Sequence, residues 1–281
     1  MHLLMILLSI GIAWLLRLSW GIFPRHPILN EAKGIVLMIA PSLFVLMTSV
    51  SIVWMGPDGM GLPMWEGWLS YGMAIAFLGY AIALGIRIWS TNRRFVQHVK
   101  TLPSREIQGY ACRILETPSL YSALCGIGTA EIVISRGLLD SLDSEHVAAV
   151  LAHEQAHAHF NDVLHYAILA WLRRILPLFP YSSSIWKVLI LNREVRADRW
   201  ATQWIEPLVL AESLLAIAQS PQPGFSTTSP LIVGTSACDG LSLRIKALIE
   251  PEVSSSSRFH FGLWLWIIVA CCPLLMVPFH H

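Results

Sequence analysis

Residues 142–162 read LDSEHVAAVLAHEQAHAHFND, and this stretch decides how the rest of the chain is read. Asp143 or Ser144 can cap a helix, with Glu145 in its first turn. The run Val147-Ala148-Ala149-Val150-Leu151-Ala152 continues that helix with strong helix formers. His153 and His157 then stand four residues apart, so both imidazoles project from one face. Two neutral imidazoles at this spacing can bind one Zn²⁺. Glu154 is turned about 100° from His153, because a helix turns once per 3.6 residues. It lies beside a metal without ligating it, a place that suits a general base acting on water.

A catalytic zinc needs a third protein ligand and an open position. Residues 192–198 (NREVRAD) supply a candidate in Glu194. Asp198, one helical turn on, can accept the outward N–H of a ligating histidine. Ion pairing of Glu194 and Asp198 with Arg193, Arg196 and Arg199 is the alternative for so charge-dense a helix. Asn161 and Asp162 either end the polar face of the motif helix or hydrogen-bond near the site. His98, His146, His159 and His165 read as surface or packing residues.

The chain around this motif is unusually apolar. Of 281 residues, 55% are hydrophobic and 13% charged, against about 25% charged in an ordinary soluble domain. The charges are unevenly placed: 30 of the 37 fall in residues 90–258. A formal net charge of +1 offers no field for nucleic acid, and no direct nucleic-acid binding is expected. Cys112, Cys125, Cys238, Cys271 and Cys272 show no CxxC spacing, which argues against a disulfide scaffold or a cysteine zinc site.

Four apolar runs fit membrane spans, at about 1–20, 34–56, 67–88 and 259–281. The first reaches its length if Arg17 snorkels. It lacks a basic leader and an A-x-A-like site, so an uncleaved anchor is expected. Arg17, Arg25 and Lys33 in the first loop, and Arg87, Arg93, Arg94, Lys100 and Arg105 after the third run, outweigh the acidic second loop with Asp58 and Glu66. The positive-inside rule then puts both termini outside and the polar domain in the cytoplasm of a multi-pass protein of the cell (inner) membrane. The expected fold class is a mainly α membrane protein with four transmembrane helices and a cytoplasmic α+β domain inserted between the third and fourth. Its parts are three spans in 1–89, the polar domain with the metal motif in 90–258 and a last span in 259–281, with the lipid bilayer as a partner.

Within the polar domain, residues 131–135 alternate enough to serve as an edge strand, to which an extended substrate adds, or as an ordinary strand of a small sheet. Residues 163–172 and 175–185 are apolar but interrupted, and fit a helical hairpin on the bilayer or on the spans. Residues 220–230 (SPQPGFSTTSP) read as a loop.

The segments HEQAHAHFND (153–162) and EVRAD (194–198) resemble the gluzincin membrane metallopeptidases. The order of spans resembles most the BlaR/MecR-type antirepressor peptidases, with three N-terminal spans, a cytoplasmic zinc peptidase domain and a fourth span. EIVIS at 131–135, followed by Gly137-Leu138-Leu139, is similar to the strand and loop before the family's motif helix. Arg244-Ile245 resembles a late segment of the HtpX-like and CAAX-prenyl-protease proteins. The resemblance implies His153, His157 and Glu194 as zinc ligands, Glu154 as catalytic base and Asp198 in support. It implies a zinc-dependent endopeptidase (a gluzincin-type metalloprotease and hydrolase) with a protein substrate, such as a transcriptional repressor in signal transduction. The external penicillin-binding domain of those sensors has no counterpart before His281, so direct β-lactam acylation is not expected. The alternatives are an HtpX-like quality-control protease and a non-enzymatic zinc-containing membrane sensor or scaffold. The second donor to the oxyanion is open among His165, Tyr181 and Arg196.

Overall fold

The computed structural model describes residues 2–22, 31–57, 64–221, 240–250, 268 and 270–279. They fall into two compact units. One comprises Met1–Arg87, Leu169–Leu189 and Ser255–His281, the other Ile88–Ile168 and Ile190–Ser254.

The first unit is built on α1 (His2–Leu18), α2 (Glu31–Met55) and the first part of α3 (Met64–Thr101). These contain three segments long and apolar enough to cross a membrane, His2–Gly21, Ala32–Met55 and Trp65–Thr101. They coincide with the first three runs seen in the sequence. About two thirds of the apolar window of α2 is buried, but only 17% of those of α1 and α3. Leu4, Leu8, Leu15, Ile75, Ile82 and Ile86 point outward, as suits side chains solvated by lipid tails. The α3 helix continues to Thr101 because the polar residues after Ile86 include no proline or glycine to stop it. The fourth expected span, 259–281, lies outside the described residues except at 268 and 270–279, where Cys272–Phe279 forms a 3₁₀ helix.

Arg17 departs from expectation. It does not snorkel; it is fully buried. Its guanidinium donates to Ser182 Oγ at 2.9 Å and meets Met38 Sδ at 3.4 Å. A hydroxyl within reach satisfies part of the group internally, so the side chain need not stretch to water. Ser182 belongs to α7 (Ser182–Ala201), which follows α6 (Asp162–Ile175). Residues Leu169–Leu189 of this pair pack with the span helices: Trp171 Nε1 donates to the Ala81 carbonyl at 2.8 Å and Tyr80 Oη to that of Arg174 at 3.2 Å. The apolar hairpin of the sequence thus joins the first unit from Leu169 onward, its residues 163–168 staying with the second.

The second unit holds a four-stranded sheet of β1 (Ser104–Ile107), β2 (Tyr110–Leu115), β3 (Ser122–Cys125) and β4 (Glu131–Ser135), in the order β1-β2-β4-β3. The β1–β2 hairpin turns through Gln108 and Gly109, both at positive φ, as a tight hairpin of matching twist requires. The β4 strand pairs with β2 in parallel and with β3 in antiparallel fashion. Of the two readings of residues 131–135, the structure selects the ordinary strand of a small sheet over the edge. Ile132, Val133 and Ile134 are all buried, and such a continuous apolar run marks a strand covered on both faces. The edge strands are β1 and β3, and among the described residues β3 pairs with β4 alone, which leaves its outer edge free.

Ser135 caps α4 (Arg136–Ser141), and Asp143 caps α5 (Ser144–His159). Asp143 Oδ1 accepts from the Glu145 and His146 amides, each at 3.0 Å. Asp143→Ala should lower the temperature of thermal unfolding, because two amides of the first turn lose their acceptor. The middle of α5, residues 147–152, is apolar on every face. Val147, Val150 and Leu151 pack on Ile134, Leu138 and Cys112. Ala149 faces Leu210 and Leu214 of α8 (Pro207–Gln219) and Leu248 of α9 (Leu241–Ile249). This double burial fixes the rotation of α5 and so the direction of its histidines. Residues 222–230 of the expected loop lie outside the described residues.

Candidate metal centre

The motif residues lie on the last turns of α5, and residues 190–201 of α7 return alongside them within the second unit. His153 and His157 are both buried and direct their Nε2 atoms at each other, 3.2 Å apart. Glu194 Oε2 lies 3.4 Å from His153 Nε2, and Oε1 lies 3.8 Å from His157 Nε2. Metal–nitrogen bonds of 2.0–2.1 Å in a tetrahedral zinc site put neighbouring donors about 3.4 Å apart. The two imidazoles and the Glu194 carboxylate therefore converge closely enough to share one ion, with one donor atom from each within 4.8 Å of the others.

The outer nitrogens of the two imidazoles face carboxylates. His157 Nδ1 is 2.7 Å from Asp162 Oδ2. His153 Nδ1 is 2.9 Å from Asp198 Oδ1, though out of line for a hydrogen bond. Carboxylates behind ligand histidines hold the ring with Nε2 free to bind. Asp162, left open between a helix end and a role near the site, is 2% exposed and belongs to the site.

Three guanidiniums complete the arrangement. Arg244 of α9 grips Asp198 with two bonds of 2.7 Å and reaches Glu194 at 3.3 Å. Arg193 binds Glu194 Oε1 at 2.6 and 2.9 Å. Arg196 binds Asp162 and lies over the Phe160 ring. The ion pairing weighed as an alternative for Glu194 and Asp198 is thus present together with the convergence on the histidines. Four buried carboxylates (Glu154, Asp162, Glu194, Asp198) face these three cations, an excess of negative charge that favours a bound cation. Burial alone would raise the Glu194 carboxyl, but Arg193, His157 and Arg244 hold it well below the ordinary carboxylate range. Burial also opposes charge on His153, yet Asp198 and Glu194 outweigh it and lift its pKa to about 9. A proton on His153 serves the metal-free site as a cation would.

Glu154 is buried beside the histidines and accepts a 2.6 Å hydrogen bond from Ser122 Oγ on β3. The free edge of the sheet thus touches the expected base directly. Of the suggested oxyanion donors, Arg196 is engaged with Asp162, and His165 contacts the Phe160 carbonyl at 3.0 Å. Tyr181 belongs to the first unit. His146 is tied to Asp143 and Glu212, and His159 stacks on Trp200, in keeping with packing roles.

Sequence alone gives no place at the site to Ser122, Arg193 or Arg244. Arg193 was seen only as an ion-pair partner. Ser122 and Arg244 lie 32 and 46 residues from the groups they touch, and nothing local signals such pairings. The Arg-Ile resemblance at 244–245 was the one available hint.

Residues 100–222 match the model of Peptidase family M48, a family of metallopeptidases. Over 50 residues the chain is 42% identical to the "Protease HtpX homolog" of Aquifex aeolicus (strain VF5), a stretch that covers 18% of this chain and 17% of that protein. The match spans about one sixth of the relative's length. It agrees with the more distant of the two resemblances drawn from the sequence, the HtpX-like one. Together with the apolar helices, the matches support a membrane metalloprotease.

Proposed function

We propose that this chain is an integral membrane, zinc-dependent endopeptidase. His153, His157 and Glu194 hold the metal, Glu154 is the general base, and Asp198 and Asp162 orient the two imidazoles. The observation that carries this reading is the convergence of two Nε2 atoms and the two oxygens of the Glu194 carboxylate at 3.2–3.8 Å, with Glu154 beside them. When bound, zinc polarises a carbonyl and lowers the pKa of its water to about 7. Glu154 takes a proton from the attacking water and returns it to the leaving amine. Ser122 Oγ keeps that carboxylate turned toward the free edge of β3. An extended substrate adding to this edge by main-chain pairing lies next to the base.

The substrate class we assign is a cytoplasmic or membrane-associated regulatory protein, such as a repressor, in a signalling role. The peptidase domain lies within residues 90–258 on the cytoplasmic side of the cell membrane, with a fourth span at 259–281 and both termini outside. A second reading, quality control of membrane proteins, is favoured by the resemblance to the HtpX homolog. The two differ in substrate and share the chemistry. A non-enzymatic zinc scaffold is disfavoured by the buried Glu154, which a purely structural metal does not need.

Metal analysis tests the ligand set. Glu194→Ala should drop zinc content in the purified chain to well below one equivalent, with Ala201→Gly as a control for altered helix stability. Full zinc occupancy in Glu194→Ala would refute the assignment.

A further inference from the structure

Beside His157 a cleft of about 50 Å³ opens between the β3–β4 turn and the corner joining α5 to α6. Its floor and walls are Leu124, Gly126 and Gly128 on one side and Ala158, Val163 and Leu164 on the other. The polar members of the lining are His157 and Asn161, and among the described residues no carboxylate or guanidinium enters it.

Both walls are held by backbone that few side chains permit. Gly126 and Gly128 have φ of +108 and +85°, and a Cβ on Gly126 would meet the Thr129 carbonyl oxygen at 2.3 Å. Such positions belong to glycine. Asn161, at φ +52°, turns the corner in the left-handed region that asparagine tolerates. The cleft is therefore shaped before anything binds. On this measure one water takes about 10–15 Å³, so the space admits roughly four non-hydrogen atoms. Valine, leucine, isoleucine and methionine side chains fit that size, whereas an aromatic ring exceeds it. A charged side chain would lose its hydration there with no counter-charge.

We propose that this cleft is a side-chain subsite that selects a medium-sized aliphatic residue at a position adjoining the bond cut. The inference rests on the peptidase reading given above. His157 forms part of the cleft wall and also points its Nε2 into the metal centre. The cleft thus begins one side chain away from the reacting atoms. Leu124, on the free-edge strand β3, lines the same cleft. Side chains of a strand added to that edge alternate in direction, so one of them reaches it.

The test uses the full chain, purified in detergent and loaded with zinc, on a proteome-derived tryptic peptide library whose cleavage sites are read by mass spectrometry. Valine, leucine, isoleucine or methionine should dominate one position flanking the cut. Discrimination against glycine there should be on the order of 10-fold or more, the scale a few methylenes supply. Ala158→Leu, which fills the cleft, should shift that position to glycine and alanine. Leu164→Ala, which widens it, should admit phenylalanine. Peptides found in the library should also bind the inactive Glu154→Gln variant, with a tenfold or greater loss when the aliphatic residue becomes glycine. Ala158→Leu in that background should remove the difference. Cleavage with no flanking preference, or with the same preference in both cleft variants, overturns the subsite alone. No cleavage by the zinc-loaded wild type overturns the peptidase reading and the subsite with it.

Discussion

Glu154→Gln should leave zinc content and thermal unfolding at wild-type levels while lowering proteolysis by about 10²–10⁴-fold, the usual contribution of a general acid–base group. The replacement is nearly isosteric. Its amide oxygen can still accept the Ser122 Oγ–H that Glu154 receives at 2.6 Å, so the site keeps its shape. It also removes one of the four buried carboxylates that face three guanidiniums, which relieves repulsion and exposes no new charge. What is lost is the ability to take and return a proton. Comparing cytosolic and membrane proteins in cells expressing the wild type and Glu154→Gln reads activity and substrate together. Accumulation of a transcriptional regulator in the variant favours the signalling role, and accumulation of many damaged membrane proteins favours quality control. Undiminished proteolysis by Glu154→Gln would sink the mechanism.

The largest effect on stability should come from Arg244→Ala. This side chain, 12% exposed, makes two 2.7 Å bonds to Asp198 and reaches Glu194 at 3.3 Å. Removing it leaves Asp198, 1% exposed, as a buried carboxylate without its guanidinium. Breaking one partner of a buried pair costs about 3–5 kcal/mol. For a chain of this size that corresponds to a fall in Tm of about 6–20 °C. Bound zinc supplies positive charge at Glu194, so the loss should be greater in EDTA than with the metal present. Arg244→Lys should rescue little, because an ammonium lacks the fork that matches both carboxylate oxygens. An unchanged Tm for Arg244→Ala in EDTA would show that Asp198 and Glu194 do not depend on it.

The parts of the molecule that could be read in advance share one property: their causes are local. The first three spans follow from the length of apolar runs, a quantity that needs no partner. The start of α5 at Asp143 follows from a cap acting over two or three residues. The shared face of His153 and His157, and the return of Glu194 and Asp198 on another helix, follow from the helical period. Sequence alone leaves residues 131–135 open between an edge strand and an ordinary one, because alternation in five residues cannot distinguish an edge from a centre. That distinction lies in which strands pair, and β4 has partners on both sides.

By itself, then, the sequence determined the apolar segments, the motif helix and the residue types gathered for metal chemistry, since chain stiffness and helical periodicity act within a few positions. Tertiary structure alone decided that Arg17 turns inward to Ser182, that Ser122 on a free strand edge holds Glu154, and that Arg244 closes over Asp198 and Glu194. These contacts join groups 32 to 165 residues apart. Their physical reason is burial: a charge removed from water must take whichever partner the packed chain brings within reach, and no local pattern records which one that is.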